Sequence, residues 1–88
     1  DEEEVKLNLA HAYFHSKDTT NSVSKYQSLL ASSNTAYKII AHQQLGVIKN
    51  QQGQLEEALQ YFKQAIKADP ANKDARYNYE MVKKKLEE

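Results

Sequence analysis

Leu45-Gly46-Val47-Ile48-Lys49-Asn50-Gln51-Gln52-Gly53-Gln54-Leu55-Glu56-Glu57-Ala58-Leu59-Gln60-Tyr61-Phe62-Lys63-Gln64-Ala65-Ile66 is the stretch on which the fold turns. Beyond Gly53 the apolar residues Leu55, Ala58, Leu59, Phe62, Ala65 and Ile66 keep the i, i+3, i+4, i+7 spacing that lays one stripe along an α-helix. Before Gly53, Tyr37, Ala41, Leu45 and Ile48 keep the same period. Gly53 can take the left-handed backbone that ends a helix, and Pro70 cannot continue one. So short a connection makes the two helices lie antiparallel as a hairpin. Gly46 and Ala58 are small where the helices are expected to meet, which lets the axes approach to the usual spacing of about 8 to 10 Å.

Outward from this hairpin the period recurs at Val5, Leu9, Ala12 and Tyr13, at Val23, Tyr26, Leu29 and Leu30, and at Ala75, Tyr79, Val82 and Leu86. The pattern predicts five helices near residues 2–16, 20–33, 36–51, 54–68 and 72–87. Side-chain oxygens for N-caps stand at Asp18-Thr19-Thr20-Asn21, Ser33-Asn34-Thr35 and Asn72. Strands have no place to form, so the fold class is all-α. With 88 residues, two glycines and one proline the chain suits a single domain.

Composition narrows the function. Twelve Lys plus Arg balance twelve Asp plus Glu, so the cationic excess that neutralises phosphates is missing and nucleic acid is not an expected partner. There is no cysteine, hence no disulfide, thiolate cage or sulfur nucleophile. No apolar run reaches membrane-spanning length, and direct membrane insertion by these residues is not expected. A start at Asp1 rather than methionine reads as a segment excised from a longer chain.

The segments also repeat. Leu9-Ala10-x-x-Tyr13, Ser22-x-x-x-Tyr26 and Leu29 return 36 residues later as Leu45-Gly46-x-x-Lys49, Ala58-x-x-x-Phe62 and Ala65. This unit resembles the tetratricopeptide repeat, whose pattern runs W-x₂-L-G-x₂-Y, then A-x₃-F, then P. Leu45, Gly46, Gly53, Ala58, Phe62, Ala65 and Pro70 stand where that pattern wants them, and the 34-residue frame spans Ile39 to Asn72. His42 replaces the tryptophan and Lys49 the tyrosine. In the first copy Ser22 replaces the alanine, Lys17 the turn glycine, and two extra residues lengthen the exit near Ser32 to Thr35.

The resemblance implies a right-handed helical hairpin array forming one domain over residues 1–88: a degenerate repeat (1–35), a well-matched repeat (36–72) and a capping helix (73–88). In the last segment Glu80 takes the small residue's place, which a helix tolerates only if nothing packs there. Lys83, Lys84 and Glu87 supply the polar cover that an array's end requires. The stretch Asp74-Ala75-Arg76-Tyr77-Asn78-Tyr79 with Lys83-Lys84-Lys85-Leu86 is also similar to the closing segment of tetratricopeptide proteins of bacterial aerotolerance (Bat) operons. That likeness implies a bacterial, periplasmic or membrane-associated parent working in a multiprotein assembly.

Few residues invite chemistry. His11 and His15 are four apart, a spacing that can chelate zinc, but no Glu lies between them as H-E-x-x-H requires, so no metal site is expected. His42 is read as filling the repeat's aromatic slot. Ser22, Ser24 and Ser28 lack a glycine elbow, and no Gly-rich phosphate loop exists. Asp1 to Glu4 suits the start of a helix and Lys83 to Lys85 the end of one. The expectation is no catalytic residue, no cofactor and no enzyme activity.

In the family it resembles, the first helix of each hairpin lines a concave groove, and chaperone-tail binders place Lys, Arg and Asn there to grip a terminal carboxylate. Those places fall on Leu7 and His11, on Gln44, and on Asp74 and Asn78, so the cationic clamp is absent. The inferred peptide-binding groove comprises Leu7, His11 and Phe14, then Ile40, Gln43, Gln44 and Val47, then Tyr77, Asn78 and Met81. Amides can bond a peptide backbone, and Val47, Tyr77 and Met81 offer apolar pockets. The expected function is a non-catalytic scaffold that binds a protein segment with few charges. The alternative is a structural fragment that docks within its parent chain or weakly self-associates.

Overall fold

A computed structural model describes residues 1–88 as five helices and no strand: α1 (Glu2–His15), α2 (Thr19–Gln27), α3 (Thr35–Gln51), α4 (Leu55–Ala68) and α5 (Lys73–Glu87). Four of the five begin at a side-chain acceptor, three of them where the cap signals stand and the fourth at Asp1. Asp1 Oδ1 accepts the Glu4 N–H at 2.6 Å, Asp18 Oδ1 that of Asn21 at 3.3 Å, Asn34 Oδ1 that of Tyr37 at 3.2 Å and Asn72 Oδ1 that of Ala75 at 3.1 Å. Only α4, entered from Gln54, has no side-chain cap. Each acceptor satisfies an amide that the helix cannot pair internally.

The two hairpin turns are the same turn. At Gly53, with φ of 77°, the Gly53 N–H reaches the Asn50 carbonyl at 3.0 Å and the Gln54 N–H reaches that of Lys49 at 2.9 Å. At Lys17, with φ of 66°, the Lys17 N–H reaches Phe14 at 3.1 Å and the Asp18 N–H reaches Tyr13 at 2.8 Å. Lysine therefore holds the left-handed conformation in the glycine's place, at a steric cost glycine would avoid.

One boundary departs from the periodicity. The pattern extends α2 to residue 33, whereas the helix ends at Gln27. Beyond it the amides of Leu29, Leu30 and Ser32 reach back three residues, to Tyr26, Gln27 and Leu29 at 3.0, 3.2 and 3.1 Å. The hydroxyls take over: Ser28 Oγ donates to the Lys25 carbonyl at 2.6 Å, and Ser32 Oγ donates to Glu3 Oε1 at 2.9 Å while accepting the Asn34 N–H at 3.0 Å. Serine side chains competing for backbone partners favour turns over helix. Leu29 stays fully buried all the same, so the apolar spacing outlives the helix that suggested it.

Neighbouring helices pack in chain order, most extensively α3 on α4, into a slab of 42 × 27 × 17 Å. Leu7, Ala10, Tyr26, Leu29, Ala41, Leu45 and Ile48 form one core between α1, α2 and α3. Ala58, Phe62 and Val82 form a second where α5 closes over α4, flanked by Val47, Leu55, Leu59 and Tyr79. Ser22, in an alanine's place, is fully buried with its hydroxyl donating to the Ala10 carbonyl at 3.2 Å. The small residue at Gly46 answers to a different neighbour than expected: the Phe62 ring, not Ala58, takes the space where a β-carbon would stand. On α5, Glu80, Lys83, Lys84 and Glu87 are exposed, as befits a helix with nothing packed on its outer side. No helix is long and apolar enough to cross a membrane.

Candidate functional site

α3 runs through the middle of the molecule, and its turns divide their attention between neighbours. His42 stacks toward Tyr61 of α4, ring centroids 6.3 Å apart, and Lys49 pairs with Glu57 at 3.3 Å. Its other side meets α5 through two polar ties. Asn72 Nδ2 donates to Gln43 Oε1 at 2.9 Å, and Lys85 Nζ donates to Asn50 Oδ1 at 3.2 Å. Asn72 thus does two jobs, capping α5 with its oxygen and tethering it to α3 with its nitrogen.

Toward α1 the polar groups converge on Tyr26. The fully buried phenol lies 2.5 Å from His11 Nδ1, with the two rings edge to face at a centroid distance of 5.5 Å. Burial pushes the Tyr26 hydroxyl above its ordinary pKa, and the Gln44 side chain opposes that shift, as a donor to the phenol oxygen does. A neutral His11 with its proton on Nε2 accepts the Tyr26 O–H at Nδ1. Burial, followed by the nearby His15, holds the His11 pKa below its ordinary value, which favours the neutral ring. The Tyr26 hydroxyl thus ties α2 to α1.

The expected groove residues therefore divide. Leu7, one turn before His11 on the same face of α1, belongs to the first core and is only 8% exposed. Phe14 and Ile40 are half-buried against that core, and Val47 against the second. His11, Gln43 and Gln44 spend hydrogen-bonding capacity on the scaffold. Asn78 and Met81 are half-buried on α5, and Tyr77 is 68% exposed, the most exposed large apolar residue of the chain. Tyr77 and Met81 are one turn apart on the same side of α5.

Tyr26 is the residue that sequence reading missed as a polar centre. Its place in the repeat marks it as core, and nothing in the local pattern pairs it with His11, fifteen positions away, or with Gln44. An open cleft of about 500 Å³ lies beside the first turn, lined by Phe14, His15, Lys17, Thr19, Ile48 and Gln51. His15 stacks edge-on against Phe14, centroids 5.7 Å apart, and no three His, Cys, Asp or Glu side chains gather as metal ligands anywhere in the chain.

A sequence model of the tetratricopeptide repeat family matches residues 1–71. Among curated proteins, none matches this chain at a significant level.

Proposed function

This chain belongs to the tetratricopeptide repeat family, whose repeats generally mediate protein–protein interaction, and on that basis we propose that it is a non-catalytic scaffold that holds a polypeptide segment along α3 and α5. The observation that carries this reading is the 68% exposure of Tyr77. A tyrosine left in water gains most from a partner, because its rigid ring brings much apolar area at small entropic cost and its hydroxyl stays satisfied at a wet rim. Met81, one turn on, supplies an adaptable apolar neighbour, and Val47 an aliphatic floor.

The polar residues suit the same role. Gln43 accepts from Asn72 through its oxygen and keeps its amide N–H groups for a peptide carbonyl. The segment bound is one with apolar anchors and few charges, because no Lys or Arg stands at Leu7, His11, Gln44 or Asn78, and Asp74 is anionic.

Amide-shift mapping with uncharged and charged candidate peptides tests this. Shifts should centre on Tyr77, Asn78, Met81 and Val47. Replacing Tyr77 and Met81 together by alanine should weaken capture at least about tenfold, on the scale of one lost aromatic anchor, with the melting temperature little changed. Gln44 is a poor probe because its loss would disturb Tyr26. Binding that leaves those amides unmoved would refute the reading.

A further inference from the structure

The open cleft beside the first hairpin turn lies between the two repeats. Its walls are the end of α1, the turn at Lys17, the start of α2 and the end of α3, so neither end of the chain borders it. At about 500 Å³ it has the size of a small-molecule pocket. Its floor is apolar and fixed. Ile48 is a member of the first core, Phe14 packs against that core, and His15 stands edge-on to the Phe14 ring. Its rim is polar, with the Lys17 ammonium, the Thr19 hydroxyl and the Gln51 amide each able to donate a hydrogen bond.

Lys17 gives the cleft its chemistry. The equivalent residue of the second repeat is Gly53, which holds the same left-handed backbone without a side chain, and the cleft beside that turn is bordered by Glu56 and Glu57 instead. Lysine at 17 accepts a φ of 66° that side chains rarely adopt, and strained backbone of this kind clusters at ligand sites. Lys17 pairs with no carboxylate. Asp18, next in the chain, is turned toward α2, its Oδ1 accepting the Asn21 N–H and its Oδ2 the Asn21 side-chain amide at 2.8 Å. An unpaired cation therefore stands at the rim of an apolar floor.

From this combination we propose that the cleft binds a small organic anion, a carboxylate carried on an aromatic or branched aliphatic body. The body lies on Phe14 and Ile48, where it leaves water, and the carboxylate meets the Lys17 ammonium in a charge-assisted hydrogen bond supported by Thr19 and Gln51. The site does not use Tyr77 or Met81, so it stands or falls apart from the capture of a polypeptide by α3 and α5.

Amide-shift titration of the 88-residue chain with phenylacetate, phenylacetamide and acetate is the test. Phenylacetate should bind in the millimolar range, as suits so small a ligand, with shifts at Phe14, Lys17, Thr19, Ile48 and Gln51. The uncharged amide should bind about fivefold more weakly, the upper range for one partly exposed ion pair, and acetate, which has no apolar body, should leave those residues unmoved. Lys17→Gly should weaken phenylacetate about fivefold while raising the melting temperature, because glycine relieves the left-handed backbone; loss of binding through unfolding would move the melting temperature the other way. Equal affinity for phenylacetate and phenylacetamide overturns the proposal, and so does a Lys17→Gly variant that binds phenylacetate as tightly as the parent. Shifts centred on Tyr77 and Met81, or no shifts at millimolar phenylacetate, overturn it as well.

Discussion

The Phe62 ring fills the space that a β-carbon on Gly46 would need: such an atom would stand 2.6 Å from Phe62 Cε1 and 2.7 Å from Cδ1. The ring is 1% exposed and has no free direction to retreat. Glycine in mid-helix costs about 1 kcal/mol in propensity, so what keeps it here is the close crossing of α3 and α4. Gly46→Ala recovers that propensity but drives a methyl into the ring, and overpacking of this kind costs about 1 to 3 kcal/mol. Gly46→Leu should cost more, and Gln60→Ala on the exposed face of α4 should stay within about 0.5 kcal/mol. Urea denaturation ranks the three. Combining Gly46→Ala with Phe62→Leu should recover part of the loss, because the two residues compete for one volume.

Asn72 separates a cap from a tether. Asn72→Asp keeps an oxygen for the Ala75 N–H and loses the donor to Gln43, whereas Asn72→Ala loses both. The alanine variant should be destabilised by about 0.5 to 2 kcal/mol and the aspartate variant by less, its charge being favourable at a helix start. Equal losses in the two variants would assign the whole contribution to the link with α3.

α5 keeps the second core dry. Deleting residues 73–88 removes Val82 and Tyr79 and uncovers Phe62 and Ala58. Arrays whose apolar end is uncovered lose solubility. The shortened chain should aggregate or melt without cooperativity, which light scattering and a thermal scan would register; a sharply melting monomer would make α5 an appendage.

Much of this was legible beforehand because it rests on local rules. The stripe from Leu55 to Ile66, the left-handed residue at Gly53 and the caps at Asp18, Asn34 and Asn72 all lie within a few residues of what they determine. The misjudged features depend on longer reach. α2 stops early because Ser28 and Ser32 bond the backbone and Glu3, choices that apolar spacing does not encode. Gly46 faces Phe62, and Tyr26 gathers His11 and Gln44, only once three helices are docked.

The Tyr26 cluster gives stability a pH dependence with a definite sign. His11 has a folded pKa below its ordinary 6.5, so in the window between the two the unfolded chain binds more protons. Stability from this group is complete above 6.5 and is lost as pH falls toward the folded value. Tyr26 has a folded pKa above 10.0, so the folded chain keeps a proton that the unfolded chain releases, and stability declines as pH rises past 10.0. Denaturation midpoints should therefore form a plateau from near neutrality to mildly basic pH. The acid-side slope should flatten in His11→Gln, which removes the titration while retaining a polar partner for the phenol.

Binding should also show what the groove lacks. A terminal carboxylate draws most of its affinity for a repeat groove from charge-assisted hydrogen bonds, and the side chains at Leu7, His11, Gln44 and Asn78 carry no permanent positive charge, while Asp74 repels it. Lys85 on α5 is engaged with Asn50. Peptides ending in a run of acidic residues should bind weakly or not at all. Binding of an apolar segment at Tyr77 and Met81 should change little with salt, since a Debye length of about 8 Å leaves short-range apolar contacts untouched while screening exposed ion pairs. Titration calorimetry at low and high ionic strength measures both expectations. Micromolar affinity for an acidic tail that vanishes at high salt would mean that cations outside these positions, such as Lys17 beside the first turn, govern recognition instead.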